Sequence, residues 1–321
     1  MNWFKRKRIF LDYASATPVL PEVLKTMENY WSREFYNPNA IYAEGETVKK
    51  EMKKCRHAIA SILGVNVDEV IFTSGGTEAN VLAVRGVRPG KIIFEEESHP
   101  SVSEAIVENK SKEVVLVSSV TTDNKLGRQI RKERKKNPPT GGPLLHVDAS
   151  QTAQYFDVSL ERLSCDMLTL DSAKLYGPKG IGALVVRRGV KLNLPPRGTL
   201  PAPLIVGFTK ALEIAVRDRE SEFKRLDKLA DDFAKEIQSN LPNVEVNKIS
   251  PNIVNVSVPG ILPEFLVLKL DSGGVMVSAG PACNANKPEP RDMPVRFSLG
   301  RFTTLSDLKR ATAILIKLIK S

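Results

Sequence analysis

Four features of this sequence place chemistry at strand ends. Lys174 follows the apolar stretch DMLTLD (166–171) and precedes the glycine- and proline-rich turn LYGPKGIG (175–182). A lysine held there near apolar surroundings is pushed toward its neutral amine, the form that makes a Schiff base. A lone lysine before a turn is ordinarily only solvated, so its companions decide the reading. Asp148, in HVDASQ (146–151), closes a second apolar stretch. Ligands of open α/β sheets bind at the carboxyl ends of strands. An aspartate there can pair with a protonated pyridine nitrogen, the interaction that makes pyridoxal phosphate an electron sink. TSGGTEAN (73–80) reads as a strand, a glycine turn and a helix start. Unbonded backbone N–H groups and the hydroxyls of Ser74 and Thr77 suit a phosphate there, although such turns are common. His99, in EESHPS (96–101), is placed either to lie against an aromatic ring or simply to be hydrogen-bonded at its strand end.

The elements that must position these residues follow from periodicity. Short apolar runs at 70–74, 91–96, 114–119, 144–149, 166–171 and 182–187 alternate with helical stretches. Near-continuous apolar strands separated by helices predict a mostly parallel sheet buried on both faces. An initial strand is expected at 9–13, with helices at 21–35 and 44–63. From Leu204 to Leu241 apolar residues recur at helical spacing, including Phe208, Leu212, Phe223, Leu226, Phe233 and Ile237. A helix that long often bridges two domains. Beyond it, strands at 252–258 and 274–278 and helices at 263–270 and 305–320 predict a smaller α+β domain joined by the N-terminal strand. The expected division is 18–220 for the large domain, with 1–17 and 221–321 for the small one.

Composition bounds the possibilities. The 321 residues are 42% hydrophobic and 26% charged, enough to bury a core. With 47 basic and 37 acidic residues the formal charge is +10, which favours acidic partners without naming one. Cys55, Cys165 and Cys283 are scattered and odd in number, as are the three histidines. Neither a disulfide framework nor a structural zinc is expected. No apolar run reaches membrane-spanning length and the start lacks a signal-peptide core, so a cytoplasmic protein without membrane association is expected. Arg128, Arg131, Lys132, Arg134, Lys135 and Lys136 form one basic cluster and Lys5–Arg8 another. Such runs are usually solvated faces. Binding to tRNA or to an acidic acceptor is the competing reading, and no aromatic-interleaved RNA motif supports it.

FLDYASATP (10–18), TSGGTEAN, HVDASQ, AKLYGPKGIGAL (173–184), SAGPAC (278–283) and VRFSLGRFTT (295–304) occur in one order along nearly the whole chain. In that order they resemble the cysteine desulfurases, pyridoxal-phosphate (PLP) enzymes of the class V aminotransferase group. The resemblance implies fold type I, with a seven-stranded-type sheet in the large domain. It implies that Lys174 carries the cofactor and later moves the Cα proton, and that Asp148 pairs with the pyridine nitrogen. Gln151 would face the phenolic oxygen and His99 would stack on the ring. Gly76, Thr77 and neighbouring amides would hold the phosphate, with Ser172 as a substitute donor. Asn124, in TTDNKLG, would help fix the substrate; Arg296 would clamp its carboxylate, a task suited to a planar bidentate donor. Asn37, in the surviving Asn37-Pro38 pair, is a further candidate at the substrate. Thr199, in RGTLP, would reach the phosphate of a partner subunit, implying a homodimer. Cys283 separates desulfurases from aminotransferases, and its small, turn-forming neighbours predict an exposed loop where a thiolate reaches bound L-cysteine. The products would be L-alanine and a persulfide on Cys283, passed on to a protein acceptor. Whether that sulfur serves iron–sulfur cluster assembly or tRNA thiolation is not written in the sequence.

The chain also departs from the pattern. The family's SxHK is Asp171-Ser172-Ala173-Lys174 here, so a histidine donor is lost and Asp171 would repel the phosphate if it points inward. The glycine-rich stretch before RSGT is replaced by LNLPP (192–196), the histidine after Asn37-Pro38 by Tyr42, and the glutamate after Asn124 by Lys125. Only twelve residues separate Cys283 from Arg296. The alternative is therefore a repurposed class V homologue: a selenocysteine lyase, an aminotransferase, or a non-catalytic scaffold.

Overall fold

The computed structural model describes residues 8–95, 98–107, 111–120, 142–195, 198–280 and 294–320. Along the chain run β1 (Ile9–Phe10), α1 (Pro21–Met27), α2 (Asn29–Ser32), α3 (Ala43–Leu63), β2 (Val70–Thr73), α4 (Gly76–Gly86), β3 (Lys91–Phe94), α5 (Pro100–Ser103), β4 (Val114–Ser119) and β5 (Leu144–Asp148). Then follow α6 (Leu160–Leu163), β6 (Met167–Asp171), β7 (Gly182–Val186), α7 (Ala202–Asn240), β8 (Glu245–Ser250), β9 (Ile253–Ser257), α8 (Pro263–Ser272), β10 (Val275–Met276), β11 (Ser278–Ala279), β12 (Val295–Ser298) and α9 (Leu305–Lys320). Pro21, Pro100 and Pro263 open their helices, where a missing N–H costs nothing. Gly64 stops α3 in the left-handed conformation, φ 67°. The chain divides into two units, Pro18–Arg217 and Met1–Thr17 with Asp218–Ser321, the division falling within α7.

The larger unit is built on a sheet of order β2-β7-β6-β5-β4-β3. Among the described residues it has six strands, not seven. Neighbours from β3 to β6 run parallel, while β7 is antiparallel to both β6 and β2. The sheet is therefore mixed, for a reason of chain length. Ten residues, 172–181, join β6 to β7, and a parallel return needs a crossover of a dozen or more. β7 is buried along its whole length. Ala79, Leu82 and Ala83 of α4 pack with Val102, Leu116, Met167 and Leu184, covering one face of the sheet.

In the smaller unit β1 pairs in parallel with β10, and β11-β12-β9-β8 form an antiparallel sheet. β8 alternates exposed and half-buried positions, the one-sided burial usual for antiparallel sheets, whereas β12 is buried throughout. Phe233 of α7 meets Phe297 edge to face at 5.4 Å between ring centres, a favoured aromatic geometry. On α9, Leu308, Ala311 and Leu315 are buried at helical spacing.

Candidate cofactor and active site

The strand register of the larger unit gathers the chemistry at one sheet edge. Asp148 lies beside Thr169 in the parallel β5–β6 pair, so the ends of both strands open onto the same side. Two residues further along β6, Asp171 stands abreast of Gly182, which stands abreast of Thr73 at the end of β2. Gly182 carries no side chain, and a Cβ there would lie 2.9 Å from the Gly75 backbone. That gap lets the glycine turn fold over β7, with Gly75 at φ 151°, in a region open to glycine. The N-terminus of α4 is thereby set against the end of β6. A Cβ on Gly76 would meet Ser150 Oγ at 2.9 Å and the Asp171 side chain at 3.2 Å.

Asp148 is held from two sides. Its Oδ1 accepts from Ser150 N–H at 3.0 Å and its Oδ2 from Asn80 Nδ2 at 2.8 Å. Asn80, 1% exposed, also donates to Ser101 Oγ at 3.0 Å. Ser101 Oγ lies 2.7 Å from His99 Nδ1, and Ser101 N–H donates to the same nitrogen at 3.1 Å. The carboxylate fixes which end of the Asn80 amide faces it. Ser101 Oγ, accepting from Asn80, directs its own proton to His99. Nδ1 of His99 is then a double acceptor, which places the ring proton on Nε2. A continuous polar chain thus joins the two residues expected against the cofactor ring. Beneath it, fully buried His146 bridges Ser118 Oγ and Thr169 Oγ1, each at 2.9 Å. Burial pushes its pKa well below the ordinary value, opposed by the Asp148 charge.

Lys174 sits in a tight 3₁₀ turn, Ser172–Lys174, directly after β6. Asp171 Oδ1 caps that turn by accepting from Ala173 N–H at 2.9 Å. Ser172 O accepts from both Leu175 N–H and Gly177 N–H at 3.0 Å. Tyr176 follows at φ 60°, fully buried. A side chain on Gly177 would strike Ser172 Oγ at 2.2 Å, so only glycine fits. The buried Ser172 hydroxyl lies beside Gly177 and, among the described residues, has no hydrogen-bond partner. Adjacent residues leaving a strand point to opposite sides, and it is Asp171 that turns toward α4.

In the smaller unit, Arg296 on β12 donates from Nη2 to Asp12 Oδ1 at 2.9 Å and to Ser15 Oγ at 3.0 Å. Among the described residues its Nε is buried without a partner. An unpaired buried guanidinium N–H is costly and suits an incoming carboxylate. Gln151 is exposed in the turn after β5, and Thr77 is exposed in the first turn of α4. Thr199 is exposed, and its neighbours Gly198 and Leu200 line a groove with Pro38 and Met52. Asn37 is exposed and spends its Oδ1 on Asn39 N–H at 2.9 Å. Cys55 and Cys165 are buried, and burial raises the Cys55 thiol to about 11. Asn124, Cys283 and the basic residues of 5–7 and 128–136 lie outside the described residues.

Asn80, Ser101 and Ser150 carried no role in the sequence reading. The signal for Asn80 was available: a polar residue on the face of α4 that Ala79 and Ala83 bury.

The sequence profile of the family described as Aminotransferase class-V matches residues 9–135, 104–197 and 196–311. The chain belongs to this family, in its cysteine desulfurase branch. It is 30% identical to "Cysteine desulfurase IscS" of Dictyoglomus turgidum, over 98% of this chain and 95% of the relative. It is 31% identical to "Cysteine desulfurase, mitosomal" of Encephalitozoon cuniculi, over 94% and 84%. A solved structure titled "NIFS-LIKE PROTEIN" superposes with a TM-score of 0.86 at 25% identity, over 98% and 99%. For a desulfurase-family chain, the donor set at the sheet edge fits pyridoxal phosphate at its ring end. Asp148 is held at the end of β5, Lys174 follows the adjacent β6, and His99 follows β3, two strands away from β5. At the phosphate end, the backbone of the buried Gly76 is approached closely by the Ser150 hydroxyl and by the Asp171 side chain. Among the described residues no helix is long and apolar enough to cross a membrane.

Proposed function

We propose that this protein is a PLP-dependent cysteine desulfurase, taking L-cysteine to L-alanine and leaving the sulfur as a persulfide on Cys283. The observation that carries the reading is the juxtaposition of Asp148, braced by Asn80, with the Lys174 turn on the adjacent strand. When bound, pyridoxal phosphate supplies a sink for the electron pair left at Cα. Lys174 anchors the cofactor through Nζ and afterwards holds the Cα proton there. Asp148 keeps the pyridine nitrogen protonated, and the Asn80 donor keeps Asp148 aimed. His99 would lie against the ring, and Gln151 would face the phenolic oxygen. The N–H groups of Gly76 and Thr77, lacking intrahelical acceptors, and the Ser150 hydroxyl hold the phosphate.

Arg296 would receive the substrate carboxylate through Nε, which has no partner among the described residues, while Asp12 and Ser15 hold Nη2. Asn124 assists at the substrate, and Asn37 acts only if its own turn opens. Cys283 Sγ attacks the substrate sulfur. An S–S bond forms, the C–S bond breaks, and its electron pair stays with the carbon that becomes alanine. A protein acceptor then takes the sulfur in the cytoplasm. The exposed side chains of Trp31, Phe35, Ile41 and Tyr42 favour a homodimer, since large apolar patches mark interfaces. Thr199 would then serve the partner's phosphate.

The test is product analysis. Protein supplied with PLP, L-cysteine and a thiol reductant is expected to release alanine and sulfide in equal amounts. Cys283→Ala and Lys174→Ala should each abolish both. Release of pyruvate in place of alanine, or unchanged sulfide from Cys283→Ala, overturns the assignment.

A further inference from the structure

We infer that the Asp171 carboxylate competes with the cofactor's phosphate for the first turn of α4, so that this chain holds pyridoxal phosphate loosely; the inference rests on the cofactor reading above. α4 is an eleven-residue helix whose first position is Gly76. The opening N–H groups of a helix have no internal acceptors and carry its positive dipole end, which attracts anions. Here an anion of the chain's own is already in contact range. Asp171 Cβ and Oδ2 lie 3.2 and 3.3 Å from the position a Gly76 Cβ would occupy.

The placement is fixed by structure. Asp171 Oδ1 is committed to Ala173 N–H, which leaves Oδ2 on the side of α4. The register that sets Asp171 abreast of Gly182 and Thr73 brings the glycine turn over β7 and onto the carboxylate. A second carboxylate stands nearby, since Glu78 Oε2 accepts from Ser74 N–H at 2.5 Å. A phosphate dianion approaching Gly76 meets the Ser150 hydroxyl and a negative oxygen within contact range of the same point. Like charges at contact distance in a half-buried site weaken binding by about ten- to a hundredfold.

Apo wild type, Asp171→Ser and Asp171→Asn should be titrated with pyridoxal phosphate and, separately, with pyridoxal, which lacks the phosphate. Dissociation constants come from visible absorption and tryptophan fluorescence, with no turnover required. Serine and asparagine both retain an acceptor for Ala173 N–H, so the Lys174 turn is kept. The expected result is pyridoxal phosphate bound at least about tenfold tighter by both variants, with pyridoxal affinity unchanged. Unchanged or weaker pyridoxal phosphate binding in both variants overturns the inference and leaves the cofactor reading intact. Equal tightening of both ligands also overturns it, because Asp171 would then act at the ring end. Failure of all three proteins to bind either ligand removes the cofactor reading itself, and the inference with it.

Discussion

Asn80 donates to the Asp148 carboxylate at 2.8 Å from a position almost without solvent exposure. The bond ties α4 to the end of β5 and, through Ser101, carries the connection on to His99. A buried hydrogen bond to a charged group is worth about 1.5–3 kcal/mol. Asn80→Ala should lower the stability of the apo protein by that amount, read as a reduced urea midpoint with unchanged slope. A midpoint within error of wild type would mean that Asp148 is oriented by Ser150 alone.

Arg296 is braced before any substrate arrives. Asp12 and Ser15 hold Nη2, and Nε is buried with no partner among the described residues. Lysine keeps the charge but loses the fork. Arg296→Lys is therefore expected to lower kcat/KM for L-cysteine about ten- to a hundredfold while leaving pyridoxal phosphate binding unchanged. Steady-state kinetics beside a cofactor titration checks both halves. An unaltered kcat/KM would remove Arg296 from the substrate site.

His146 gives the apo fold an acid sensitivity. It is fully buried between Ser118 and Thr169 and its pKa is lowered by burial from the ordinary 6.5. Below about pH 6.5 the unfolded chain takes up a proton that the folded chain refuses, so stability falls as pH falls. Above that value the residue contributes no pH dependence. His146→Asn should flatten the decline in melting temperature between pH 7 and pH 5. Parallel declines in the two proteins would contradict the buried neutral imidazole.

Much of the fold is legible in the sequence because the strands of the larger unit are apolar on both faces and their ends carry turn residues. The helix at Leu305–Lys320 has the bounds its periodicity predicts. The direction of β7 is not legible from apolar runs. It follows from the length of the 172–181 connection, which a parallel reading overlooks. Lys174, Asp148 and His99 are readable as chemistry at strand ends. Which of Asp171 and Ser172 approaches Gly76 is not, because strand alternation decides it, and Asp171 is the one in contact range. Asn80 is readable only as a polar residue on a buried helix face; its partner on β5 lies 68 residues away, and no local pattern joins them.

The reading stands on Lys174 holding pyridoxal phosphate beside Asp148. The most direct measurement is the visible absorption spectrum of wild type, Lys174→Ala and Cys283→Ala after addition of the cofactor, repeated after L-cysteine. The account predicts a visible band in wild type and Cys283→Ala that Lys174→Ala lacks. L-cysteine should perturb it in both proteins that show it, with sulfide released only by wild type. A wild-type band that survives Lys174→Ala, or no band in wild type at saturating cofactor, would contradict it.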